Sequence, residues 1–110
     1  LNFSMGKSQS TVGSGEQCAH VVPLDEVLAG QEVTFIKMDI EGAERDALAG
    51  ASETLRRFKP RLKLDFYHLP DDPVVLPQVI LTANPRYVPV DGPCMKHPDG
   101  HVAPYVKYYE

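Results

Sequence analysis

The sequence predicts an α/β domain organised around a strand–helix–strand unit with parallel strands. Three observations carry this. Val33–Met38 is an apolar run rich in strand-favouring residues. Behind it Ala43, Ala47, Leu48, Ala51, Leu55 and Phe58 recur at helical spacing. Leu62, Leu64 and Phe66 then alternate with Lys63 and Asp65, which gives a strand one buried face and one partly wet face. A strand, a helix and a strand of these lengths form a right-handed crossover. Both strands then end on one edge of the sheet, where open α/β sheets bind their ligands.

Size and charge bound the rest. A chain of 110 residues is one domain at most and can bury a modest core. Its net charge of −4 argues against a nucleic-acid-binding surface, which is normally basic. No apolar run approaches the ~18–20 residues that span a membrane, so no membrane association is expected. Cys18 and Cys94 make no disulfide framework, which fits a reducing cytoplasm. The chain opens on Leu1 without a signal peptide and is expected to be a piece of something longer. Residues 1–18 read as a variable loop or linker, and 19–110 as the folded part.

In order along the chain, the Ser- and Gly-rich opening holds two phosphate-loop look-alikes. Gly6-Lys7-Ser8 lacks the earlier glycine that the motif needs, and Gly13-Ser-Gly15 meets Cys18 where a third glycine belongs. A flexible loop is the better reading of both. Ala19–Val22 predicts a short strand, ended by Pro23. Leu24–Ala29 predicts a brief helix closed by Gly30, with Asp25 and Glu26 complementing its dipole. The strand Val33–Met38 and the helix Ala43–Phe58 follow, and Pro60 stops that helix. The alternating strand Leu62–Phe66 fits a position nearer the sheet edge, or one whose outer face meets a helix through polar contacts. Asp71–Asn84 predicts a helix with Pro73 in its first turn and a late start or a kink imposed by Pro77. Tyr87–Val90 and Tyr105–Tyr109 predict two antiparallel strands joined by a long loop, Asp91–Pro104. Prolines are frequent, most of them beyond residue 69, so the last third is expected to be loop-rich.

One stretch carries a resemblance. Phe35-Ile-Lys-Met-Asp-Ile-Glu-Gly-Ala-Glu44, followed by Ala47-Leu48 and Gly50-Ala51, resembles the signature of the FkbM-type methyltransferases, S-adenosylmethionine-dependent enzymes of the Rossmann-like class. Pro23-Leu-Asp-Glu-Val27 resembles the segment before that strand, and Tyr67-His68 the pair that ends the next one. The resemblance runs from Val21 to Tyr87. It implies the second half of a Rossmann-like methyltransferase sheet: the βαβ unit, then a helix and a C-terminal β-hairpin. It implies S-adenosylmethionine as cofactor and O-methyl transfer to a hydroxyl of a sugar or natural product, a small-molecule or glycan acceptor. The glycine-rich turn and the ribose-binding acid of that class are not found in this sequence. The chain therefore reads as the C-terminal half of the domain, inactive alone, with an exposed half-sheet that invites self-association. The competing reading is a non-catalytic α/β binding module derived from a methyltransferase.

Candidate site residues cluster at the two strand ends. Asp39 can accept hydrogen bonds from a cofactor ammonium, hold a cation or take a proton; its alternative is a cap on the following helix. The resemblance places it near the methionine end of the cofactor. His68 titrates near neutrality and suits a general base for the acceptor hydroxyl, against the alternative of a turn histidine bonded to backbone. Asp39 and His68 are thus the catalytic pair. Glu41 is a substrate contact or a dipole-compensating residue, Glu44 pairs with a Lys or Arg in a structural role or lines the site, and Tyr67 packs at the pocket wall. Cys94-x-x-His97-x-x-x-His101, with Asp99, has the spacing of a zinc half-site. A turn at Pro98-Asp99-Gly100 explains it better, and no metal is assigned.

Overall fold

A computed structural model describes residues 2–3, 17–18 and 20–110. Two short strands, β1 (Asn2–Phe3) and β2 (Gln17–Cys18), pair antiparallel in the opening segment. The two phosphate-loop look-alikes lie outside the described residues. The strand expected over residues 19–22 is not formed at residues 20–22, where Val21 is exposed. Ala19 is outside the described residues.

The main sheet has four strands in the order β3 (Phe35–Met38), β4 (Arg61–Asp65), β8 (Val106–Tyr109) and β5 (Pro89–Asp91). β3 and β4 run parallel, as the crossover requires, and β8 lies antiparallel to both β4 and β5. The alternating strand β4 is therefore interior, which corrects the edge position suggested by its pattern. Its alternation has another cause. Leu62 and Leu64 face the helices and are fully buried, whereas the opposite face, with Phe35 and Val90 exposed, is left open by the described helices.

Three helices cover the buried face. The single helix expected over residues 43–58 is two: α2 (Glu44–Ala49) and α3 (Ser52–Phe58). The break falls at Gly50, where Ala51 N–H bonds back to the Leu48 carbonyl in a tightened turn. Gly50 also lies beneath Pro23: a Cβ there would come within 3.2 Å of the proline side chain. The break opens α3 to a cap from elsewhere. Asp25, in the short helix α1 (Leu24–Leu28), accepts from the Glu53 and Thr54 N–H groups and from the Thr54 hydroxyl. Asp25 thus satisfies free N–H groups of another helix besides complementing its own.

α4 (Asp72–Ala83) begins without the expected late start and runs through Pro77 unbroken. Pro73 occupies the first turn, where its missing N–H costs nothing. Leu48, Ala51, Leu55, Leu76 and Ile80 from the helices meet Ile36, Met38, Leu62, Leu64 and Tyr109 from the sheet in one core. Tyr87 is buried against Tyr109 edge-on, and its hydroxyl donates to the Pro60 carbonyl at 2.5 Å. The segment expected as a long loop is instead ordered by a hairpin, β6 (Cys94–Lys96) with β7 (Val102–Pro104). His97 and Gly100 close its turn through backbone bonds, so the loop satisfies its own polar groups.

Candidate active site

Asp39 is the first residue past β3, and Asp65 is the last residue of β4. The parallel register sets Met38 opposite Leu64, so the next residues, Asp39 and Asp65, stand side by side. Three residues on, the chain turns and brings His68 back over the pair. Its Nε2 lies 3.4 Å from Asp39 Oδ1 and 3.6 Å from Glu41 Oε2. The other ring nitrogen, Nδ1, is 3.0 Å from Glu44 Oε1. The His68 side chain is only 8% exposed and Glu44 is fully buried, while Asp39 remains 47% exposed.

The turn after β3 explains why Glu44 is there. Glu41 and Gly42 take positive φ values of 57° and 101°, and in the turn they make the N–H groups of Ile40 and Gly42 both face Glu44. Glu44 opens α2 and folds its carboxylate back onto the Ile40 and Gly42 N–H groups, at 3.0 and 3.1 Å. No side-chain bond caps α2 from its first flanking residue, Ala43, and Glu44 instead braces the turn ahead of the helix, so the alternative reading of Asp39 as the cap on α2 is not what forms. The neighbouring Arg45 pins this turn to α4: it pairs with Asp71 at 2.7 Å and with the buried Asp72 at 2.6 Å, and Asp72 also accepts from Leu69 N–H.

The electrostatics follow from crowding. Burial, together with a hydrogen bond to Asp39 and its charge, pushes the Asp65 carboxyl up to about 6. Burial would lower His68, but the bond to Glu44 and the charges of Glu44, Glu41 and Asp39 outweigh it and hold the imidazole above its ordinary value. Tyr67, raised by burial and by the nearby carboxylates, lies against His68 with ring centroids 4.6 Å apart and against Tyr105 at 4.7 Å.

The sequence matches the Methyltransferase FkbM domain family over residues 2–86. The chain belongs to that family. The crystal structure of methyltransferase FkbM from Methylobacillus flagellatus KT superposes on this FkbM domain chain with a TM-score of 0.64 and 33% sequence identity. The match covers 80% of this chain and 22% of that one, so the chain spans about a fifth of the solved protein's length. No curated protein matches it. Membership carries methyl transfer as the general chemistry of the family, and the mixed α/β fold expected from the sequence is the one found.

Within this FkbM chain the signature run supplies Asp39, Glu41 and Glu44, and the sheet brings His68 and Tyr67 to them as the crossover predicts. Tyr67 is 46% exposed and forms an open wall beside His68. Sequence reasoning missed Asp65, taken there only as the wet half of an alternating strand. The signal was the parallel register, which pairs a carboxylate at each strand end. The zinc half-site does not form. His97 faces the Ala103 carbonyl, His101 pairs with Asp99, the two imidazoles stack at 4.3 Å, and Cys94 is exposed on β6. Among the described residues the group with metal-ligand spacing is Asp39, Asp65 and His68.

Proposed function

We propose that the chain supplies the acceptor side of an S-adenosylmethionine-dependent O-methyltransferase acting on a hydroxyl of a sugar or natural product. The observation that carries this reading is the Glu44–His68–Asp39 arrangement at the carboxyl edge. Glu44 engages Nδ1 of His68 at 3.0 Å and leaves Nε2 facing Asp39 and Glu41. In the reaction the acceptor oxygen attacks the methyl carbon, and the carbon–sulfur bond breaks with its electron pair going to sulfur. The hydroxyl proton passes to Nε2. The protein's task is to hold oxygen, carbon and sulfur in line. Asp39 faces the methionine end of the cofactor, and Glu41 and Tyr67 border the acceptor.

The glycine-rich turn and ribose-binding acid that hold the cofactor in this class are not found in the sequence, so these 110 residues by themselves are expected not to turn over. The same feature favours the second reading, a binding module that kept the scaffold. The test is release of S-adenosylhomocysteine by the protein carrying this chain, over a panel of glycan and small hydroxylated acceptors. Turnover with at least one acceptor supports the enzyme. Acceptor binding without turnover supports the module.

A further inference from the structure

We propose that Asp39, Asp65 and Nε2 of His68 form a divalent-cation site. The inference rests on the reading of this edge as the acceptor site and names what activates the acceptor there. One oxygen from each aspartate and one ring nitrogen of His68 lie within 4.8 Å of one another. Ligands about 2.1 Å from an ion stand about 3.0 Å apart at right angles and about 4.2 Å apart when opposite. The 3.4 Å between His68 Nε2 and Asp39 Oδ1 is already near the first of these, and a bound ion would draw the set in from its present spread.

Two further observations point to an ion. The first is Nε2 itself. It belongs to a side chain only 8% exposed and is aimed between Asp39 and Glu41, within ion-pair distance of both at 3.4 and 3.6 Å, with no closer hydrogen bond to either. The opposite nitrogen is held by the buried Glu44, which is how ligating histidines are commonly oriented and made more basic. The second is charge. Asp39, Glu41, Glu44 and Asp65 surround one imidazole, and no lysine or arginine among the described residues pairs with any of them. Arg45, the nearest in sequence, is spent on Asp71 and Asp72.

The donor set selects the ion. Two carboxylate oxygens with one imidazole suit a borderline-hard cation such as Mn²⁺ better than a thiolate-seeking one. Asp39 is half-exposed, so positions on the ion stay open to water and to the acceptor oxygen. An ion there acidifies the acceptor hydroxyl as a Lewis acid. With an ion bound, Nε2 would be a ligand and no longer the proton acceptor it is in the ion-free site, and Glu41, 3.6 Å away, would take the proton in its place.

The experiment is a Mn²⁺ titration of the protein carrying this chain, followed by the loss of the free-ion electron paramagnetic resonance signal. One ion per chain is expected, with affinity at least about tenfold weaker in Asp65→Asn and in Asp39→Asn, and about 10- to 100-fold weaker in Glu44→Gln. Cys94→Ser leaves it unchanged. Absence of saturable binding, or binding indifferent to both aspartate variants in protein that retains its circular dichroism spectrum, overturns the proposal. Methyl transfer that survives chelator treatment also overturns it while leaving the methyltransferase reading intact. Site-specific Mn²⁺ binding without methyl transfer to any acceptor supports the ion and removes the methyltransferase reading instead.

Discussion

Glu44 and His68, 24 residues apart in the chain, meet at 3.0 Å, and the same carboxylate holds the turn that follows β3. One buried acid therefore shapes the backbone after the first strand and orients the histidine after the second.

Removing that acid strands several donors at once. Glu44→Ala leaves the Ile40 and Gly42 N–H groups and His68 Nδ1 without their partner in a partly buried setting. A loss of about 2–4 kcal/mol of unfolding free energy is expected, with a smaller loss for Glu44→Gln, which keeps an acceptor oxygen. Urea denaturation with an unchanged slope is the measurement. Equal stability of wild type and Glu44→Ala would show that the turn stands without it.

Asp25 gives a prediction in pH. Burial raises its carboxyl, but the Thr54 hydroxyl and the Glu53 and Thr54 N–H groups outweigh burial and hold it below its ordinary value. A carboxylate with a lowered folded-state value contributes stability above its unfolded value of about 3.9, and loses it as pH falls through the folded value. Wild type should therefore exceed Asp25→Ala by about 1 kcal/mol near neutrality. The difference should shrink below about pH 4. Paired melting curves across that range check it, and a gap that stays constant in acid contradicts it.

Much of this was legible in the sequence and some was not. The periodicities of Val33–Met38 and Leu62–Phe66 foretold two parallel strands, and the crossover then put Asp39 and His68 on one edge. The break at Gly50 was hidden because Ala47, Leu48, Ala51 and Leu55 keep helical spacing straight across it. Only the long-range contact with Pro23 and the cap from Asp25 make the break worthwhile, and neither is local. Asp65 was hidden for the same reason, since its importance comes from register. The hairpin at Cys94–Pro104 was half legible: Pro98-Asp99-Gly100 marked its turn, but the surrounding prolines hid the two short strands on either side.

Gly92 is a sharper steric test. A Cβ at this position would sit 2.6 Å from the Val106 carbonyl oxygen, to which the Gly92 N–H donates at 2.8 Å. Gly92→Ala must push β5 away from β8, and a loss of about 1–3 kcal/mol is expected. Thermal melting of the variant reads it. An unchanged midpoint would mean that the strand pair yields without cost.

The most direct test of the account is the rate of S-adenosylhomocysteine formation by the protein carrying this chain, wild type against His68→Gln. Glutamine keeps a donor toward Glu44 but has no basic nitrogen to face Asp39. If this sheet edge is the methyl-transfer site, the rate falls by about 10²- to 10⁴-fold while the circular dichroism spectrum is retained. A folded His68→Gln variant that turns over at the wild-type rate would place the chemistry elsewhere.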